Sequence, residues 1–255
     1  MMLVANSCLA ELFLASNALW MSKFTFQNDL QQIEYEDSLC VFRGYLSFSS
    51  CTIQNCSYLL QSTYRYFLLV HPNRLCLRSF RAQLCFISLS WIFAFGFPLM
   101  FLFNGEILYN IDNQICQIPL RFSVSIIYTA HCLYIIPVSS IVFIYFLLIR
   151  YVKEMTKRTT PTNALNLAQR ELKMVRHIVI LVMILFTAGF PYALFVFMSF
   201  FTKPPKYHFR ISYGFIDFSL ALAMISLFQF NDTLKISIQK MFKYRRDTIR
   251  PIVAR

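Results

Sequence analysis

The sequence predicts an all-α membrane protein, built as one bundle of six membrane-spanning helices. Hydrophobic residues make up 57% of the 255 residues and charged residues only 14%, whereas soluble domains usually carry about 25% charged residues. The hydrophobic residues form long runs separated by short polar stretches, and about 20 apolar residues are enough to cross a bilayer as a helix. Because backbone groups in lipid must bond to one another, each run is predicted to be helical.

The six predicted spans belong to a single transmembrane domain over residues 1–246. They cover about residues 2–22, 38–69, 83–103, 122–152, 172–201 and 211–230, and a short amphipathic helix at about 232–246 precedes a cytoplasmic tail at 247–255. The first run has no basic start of the kind a signal peptide needs, and Glu11 interrupts it. We therefore interpret it as a retained span.

The net charge of +12 reflects membrane topology and does not indicate a nucleic-acid partner. Of the 24 Lys and Arg residues, 18 lie on one side of the membrane, in or next to the segments that follow the second, fourth and sixth spans. The other 6 lie on the opposite side. The positive-inside rule places the larger set in the cytoplasm, where anionic lipid attracts basic segments. Both ends of the chain are then cytoplasmic, and the lipid bilayer is the expected partner of the spans.

Polar residues and prolines recur at characteristic positions along the spans. The second span starts near Cys40 and ends in Tyr64-Arg65-Tyr66. The 25 residues from Cys40 to Arg65 correspond to roughly 37 Å of helix, so one residue lies at each membrane face. The other spans and the outer loop carry Asn6 to Glu11, Trp91, Cys116, Pro137, Tyr145, Glu171 and Phe190-Pro191.

This set of residues resembles helices two to seven of the rhodopsin-like (class A) G-protein-coupled receptors, with the first transmembrane helix absent. The resemblance implies a receptor of the plasma membrane in which an extracellular ligand favours a packing that activates a heterotrimeric G protein. It also implies a disulfide between the outer cysteines, Cys40 and Cys116. The residues that it assigns to the activation switch are Tyr64, Arg65, Tyr66, Tyr145, Glu171, Phe190 and Pro191.

Two parts of that switch have a physical explanation. An arginine at the inner membrane edge needs a partner, and the resemblance makes Glu171 the partner of Arg65. Without the resemblance, Glu171 is better explained as a solvated cytoplasmic charge. Pro191 removes a backbone donor within its span and bends the helix, and we expect a hinge there.

Glu11 is an acid in mid-membrane, which is costly unless it is protonated, paired or hydrated. The resemblance places a sodium site here, to which Gln54 would contribute. Leu222 and Ala223 offer no ligands from the last span. We therefore favour a protonated, hydrogen-bonded carboxyl over a sodium site.

The ligand pocket is expected in the outer half of the bundle. Ser47 stands where amine receptors of this family carry an acid, so a biogenic amine is not expected. Acidic residues crowd the outer loops and would attract a basic peptide, although they are also explained as solvated loop charges. We favour a neuropeptide-like ligand, and the candidate pocket residues are Ser47, Tyr128, His131, Tyr192 and Asp217.

Departures from the family pattern favour one alternative, a truncated receptor fragment that does not signal. Tyr64 replaces the usual acid before Arg65, Gly189 and Leu185 replace aromatic switch residues, and residues 226–230 lack the family's Asn-Pro-x-x-Tyr motif. A six-span transporter or channel is a further alternative, but internal repeats are lacking. No nucleophile–base pair, phosphate loop or metal-ligand cluster is visible, so neither enzymatic activity nor a cofactor is expected.

Overall fold

A computed structural model describes residues 2–31, 36–71, 79–121, 123–157 and 162–230. The predicted amphipathic helix at 232–246 and the predicted tail at 247–255 lie outside the described residues. The helices are α1 (Met2–Gln31), α2 (Cys40–Val70), α3 (Phe80–Gly96), α4 (Leu99–Phe103), α5 (Val124–Ala130), α6 (Ile136–Lys157), α7 (Thr162–Met198) and α8 (His208–Phe230), and the strands are β1 (Leu108–Asn110) and β2 (Ile115–Gln117).

Among the described residues, four helical segments are long and apolar enough to cross a membrane, Met2–Gln31, Phe80–Phe103, Val124–Lys157 and His208–Ser226. The two parts of α7, which meet at a bend, make a fifth if they are counted as one span. The second predicted span, α2, is a helix of 31 residues, about 46 Å long at 1.5 Å per residue. It is not among these apolar segments because it buries many serine, threonine, asparagine and glutamine side chains between its neighbours.

The first helix continues beyond the predicted end at residue 22, as far as Gln31. No glycine or proline interrupts residues 2–31, so nothing in the local sequence stops the helix at the membrane edge. The extension carries Asp29 to the outer end of α8, where its two carboxylate oxygens accept hydrogen bonds of 2.8 and 2.9 Å from Arg210.

Prolines mark the irregular points of the bundle. Pro98 lies in the turn between α3 and α4. Pro137 follows a π-helical turn at His131–Ile135, which joins α5 to α6. A proline at 137 has no N–H to donate to the carbonyl of Leu133, and the side chain of Asn55 in α2 donates to that carbonyl instead, at 2.9 Å. The Leu133 carbonyl, which Pro137 leaves without its usual donor, therefore becomes a contact between α2 and the π-helical turn.

The loop between α4 and α5 contains an antiparallel hairpin, which the sequence did not predict. We call residues Leu108–Gln117 the outer hairpin; in it Leu108 pairs with Gln117 and Tyr109 with Cys116. The predicted disulfide is confirmed, since Cys116 of the outer hairpin is bonded to Cys40 at the start of α2. Gly44 makes this approach possible, because a Cβ atom there would lie 2.5 Å from the carbonyl oxygen of Cys116.

The outer hairpin is also bound to the start of α8 through Asn113, which is fully buried. Its side-chain oxygen accepts hydrogen bonds from the backbone N–H groups of Phe209 and Arg210, at 3.1 and 3.3 Å. Its side-chain nitrogen donates to the Lys206 carbonyl at 3.2 Å. Asn113 thus satisfies N–H groups in the first turn of α8, as a capping residue does.

Replacing Asn113 by alanine is expected to lower the free energy of unfolding by about 1–3 kcal/mol, because buried polar groups lose their partners. The measurement is the melting temperature of the purified protein in detergent. Asn104→Ala is the matched control, since Asn104 is exposed in the same loop. Equal melting temperatures for the two variants would show that Asn113 does not fasten the hairpin.

Candidate functional site

An ion pair joins α2 to α7 at the cytoplasmic end of the bundle. Nη1 of Arg65 lies 2.7 Å from Oε2 of Glu171, and the two side chains are only 14% and 8% exposed. The sulfur of Met174 lies 3.0 Å from the same guanidinium nitrogen. The structure therefore brings together the two residues that the resemblance paired, in surroundings where water screens the charges only weakly.

An apolar cluster includes sequence neighbours of the ion pair. Leu69, Leu148 and Val175 belong to this buried cluster, and Tyr66 and Tyr145 pack against it. Tyr64 is half-buried, as these two tyrosines are, but it is not among the residues packed against the cluster. The tyrosines that the sequence assigned to the switch thus differ in position, since two of them lie in the α2–α6–α7 contact and the third does not.

Helix α7 bends between this ion pair and its outer end. Its straight parts, Ala168–Ile184 and Gly189–Met198, meet at 43°. Pro191 lies inside the helix, and its ring displaces the carbonyl of Thr187 in the turn where the two parts meet. Phe190 is 56% exposed, so its ring faces away from the bundle.

Glu11 lies deep between α1 and α2 and is fully buried. Its Oε1 atom accepts a hydrogen bond of 2.6 Å from the Gln54 amide and a second, short one from the Tyr58 hydroxyl. Its Oε2 atom has no hydrogen-bond partner among the described residues. Tyr58, which the sequence did not single out, is therefore as much a part of this site as Gln54.

The side chains that bond the Glu11 carboxyl are hydrogen-bond donors. Hard cations are held by several oxygen ligands, but Gln54 and Tyr58 direct an N–H and an O–H at the carboxyl group. Ala223 of α8 is fully buried in the cluster that contains Tyr58 and offers only carbon. No cation forms an ion pair with Glu11 within the described ranges. These surroundings favour a carboxyl group that accepts hydrogen bonds from its neighbours over a sodium site.

Two of the five predicted pocket residues lie beneath the outer hairpin. The hydroxyl groups of Ser47 and Tyr213 are 3.2 Å apart, and the Gln117 amide of the hairpin donates to the same tyrosine hydroxyl. Tyr192 and Tyr213 both pack against a buried cluster that contains Ile115 of the hairpin and Phe209 of α8. Ser47 and Tyr192 therefore share one environment, organised by Tyr213 and the hairpin, which the sequence did not reveal.

The structure does not bring the other three to the same place. Tyr128 packs against the rings of Phe97 and Phe101, with ring centres 6.0 and 6.1 Å away, on the side of α3 and α4. His131 is exposed, and its Nδ1 atom contacts the carbonyl of its own helix. Asp217 faces α1, where Ser22 donates to it at 3.3 Å.

An interior cavity between the helices, beside Gln54, is small. Its volume is about 20 Å³, which is room for about one water molecule. Gln54, Asn55 and Ser219 supply polar atoms to its wall, and Tyr134 and Phe186 supply aromatic rings. A ligand larger than water therefore binds this conformation outside the cavity or has to displace its walls.

Comparison with known proteins agrees with the geometry. The model of a family described as "7 transmembrane receptor (rhodopsin family)" matches residues 2–228. No curated protein matches the chain. The match includes both the ion pair and the Glu11 site.

Replacing sodium chloride by choline chloride is expected to leave the melting temperature of the purified protein unchanged, because Gln54 and Tyr58 direct hydrogen-bond donors at Oε1 of Glu11. The measurement is thermal unfolding in detergent at constant ionic strength. Glu11→Gln is the control variant, since its neutral side chain keeps an acceptor oxygen for both donors. A sodium-specific rise in the melting temperature that Glu11→Gln abolishes would show that a sodium site exists.

Proposed function

The chain belongs to the rhodopsin family of seven-transmembrane receptors, and we propose that it couples binding of an extracellular ligand to activation of a heterotrimeric G protein. It is a multi-pass protein of the plasma membrane, and receptors of this family are generally non-enzymatic. The observation that carries the proposal is the shielded ion pair between Arg65 and Glu171 at the cytoplasmic end of the bundle.

The ion pair stabilises a closed cytoplasmic face. The Nε atom of Arg65 is buried without a hydrogen-bond partner among the described residues, so the contact with Glu171 supplies much of what holds this guanidinium in place. Moving α7 away from α2 would break that contact and let the cytoplasmic ends of the two helices separate. The G protein binds only the open face, and the ligand also favours the open state. Each therefore strengthens the binding of the other.

The bend in α7 would amplify this movement at the cytoplasmic end of the helix. Glu171 lies 20 residues before Pro191, which corresponds to about 30 Å of helix. A change of roughly 10° in the bend would therefore move the Glu171 end by about 5 Å. That displacement is more than enough to separate two groups held 2.7 Å apart.

Glu171→Ala is expected to raise G-protein activation in the absence of ligand by about fivefold or more, since a bias of about 1 kcal/mol between two states changes their ratio about fivefold. The measurement is nucleotide exchange by purified G proteins reconstituted with the receptor in nanodiscs. Glu154→Ala is the matched control, because Glu154 is an exposed acid in the last turns of α6.

Three results would contradict the proposal. Unchanged basal exchange in a well-folded Glu171→Ala variant would show that the ion pair does not restrain activation. No exchange with any G protein, by the variant or the parent chain, would favour the non-signalling fragment. Ion flux or solute uptake by the reconstituted protein would favour the transporter or channel.

We propose further that the ligand is a peptide and that a biogenic amine does not fit. Ser47 is held by Tyr213 and offers no negative charge to an amine. Among the outer acids, Asp29 and Asp37 already pair with arginines and Asp112 with a lysine. Glu106 is half-buried, and its Oε2 atom has no hydrogen-bond partner among the described residues. Of these four acids it is thus the one without an ion-pair partner in the described part of the chain, and we propose that it receives a cationic group of the ligand.

Glu106→Gln is expected to weaken the response to an activating basic peptide about tenfold, which corresponds to about 1.4 kcal/mol of binding free energy. The measurement is the concentration dependence of signalling in cells that express the chain, with a panel of synthetic basic peptides and amines. Asp112→Asn is the control, because Asp112 is exposed and lies 3.7 Å from Lys206. Activation by amines alone, or a peptide response that Glu106→Gln does not alter, would contradict a peptide held by this acid.

A further inference from the structure

A groove of about 570 Å³ lies between α6 and α7, and it is distinct from the interior cavity. Val138, Val142 and Phe143 of α6 form much of its wall. Tyr134 of the π-helical turn and Phe186 of α7 complete it. The volume falls within the range of about 300–1,000 Å³ that is typical of small-molecule sites.

The groove faces the bilayer. Val142 and Phe143 are exposed on the outside of the bundle, in the middle of the span Val124–Lys157. Among the described residues, no charged side chain lines the groove, and the hydroxyl of Ser139 donates to the carbonyl of Ile136 in its own helix. An apolar concavity at this depth is in contact with lipid hydrocarbon and not with water.

The groove shares a wall with the interior cavity. Tyr134, Val138 and Phe186 line both. Gly189 of α7 lies beside Tyr134, since a Cβ atom there would be in ordinary contact, 3.7 Å from the tyrosine hydroxyl oxygen. The wall is therefore one layer of side chains, and a molecule in the groove contacts the same residues that limit the cavity.

We propose that this groove is a binding site for a lipophilic molecule with a hydrocarbon chain, which enters from the bilayer. Such a chain matches the apolar lining, the absence of charge among the lining residues and the position within the spans. Phe186 lies between Ile184 and Gly189, where the two straight parts of α7 meet, so the occupant touches the bend. An occupant that fits one bend better than another shifts the population of the two states. Binding itself does not depend on the proposed function, whereas this effect on signalling rests on it.

The test uses the full chain in phospholipid nanodiscs and a stearic acid that carries a diazirine and an alkyne. After irradiation, mass spectrometry locates the labelled residues. We expect saturable labelling of α6 residues such as Val142 and Phe143, which excess unlabelled stearic acid prevents. Val142→Trp fills the groove and is expected to reduce this labelling about tenfold. Ile136→Trp is the matched control, since Ile136 is exposed on the same helix but does not line the groove.

Labelling that unlabelled stearic acid does not prevent, or that falls equally in both tryptophan variants, would overturn the proposal and show ordinary contact with bulk lipid. Val142→Phe is a second, smaller filling change for use if Val142→Trp unfolds, and it is expected to reduce the labelling in the same direction. Because labelling is measured without a G protein, its failure leaves the Glu171→Ala experiment unaffected. Conversely, failure of basal signalling leaves the labelling result valid.

Discussion

Polar groups inside a membrane have to be paired with one another, and this constraint shapes the bundle around α2, which carries many of them. A helix with so many hydroxyl and amide groups cannot face lipid, so it lies at the centre of the bundle and bonds to every side. It contacts α1 through Gln54 and Glu11, and α3 through Tyr45 and the Phe95 carbonyl. It contacts the π-helical turn through Asn55 and the Leu133 carbonyl, and α7 through Arg65 and Glu171. Ser47 contacts Tyr213 of α8, and the disulfide joins α2 to the outer hairpin.

These contacts differ in how easily they can change. At the outer end, the Cys40–Cys116 disulfide and the close approach at Gly44 fix α2 to the hairpin, and Asn113 fixes the hairpin to α8. At the inner end, Arg65 of α2 contacts Glu171 and Met174 of α7 beside an apolar cluster, and α7 bends between the two ends. These inner contacts include no disulfide, so helices can separate there without breaking a covalent bond.

The sequence was sufficient to predict the contacts that depend on residue type and spacing. The interval from Cys40 to Arg65 predicted a helix with one residue at each membrane face, and the structure has that helix. Sequence could not predict partners that the chain brings together over long distances, such as Asn55 with the carbonyl freed by Pro137, or Asn113 with the start of α8. Asparagine is common in turns and at helix ends, so its presence alone does not reveal a distant acceptor. The outer hairpin was not predicted because its strands are three residues long, which is too short to show an alternation of apolar and polar residues.

The predicted pocket residues show why an outer position on a span is not enough to define a ligand site. In a helix, residues three or four apart share a face, and Tyr128 and His131 satisfy that spacing. The π-helical turn that starts at His131 changes the register at this point, however, because one turn takes in an extra residue. Tyr134, within that π-helical turn, lines both the interior cavity and the groove. The aromatic residue of this span that reaches the cavity therefore lies in the irregular turn before Pro137, where regular helical spacing no longer applies.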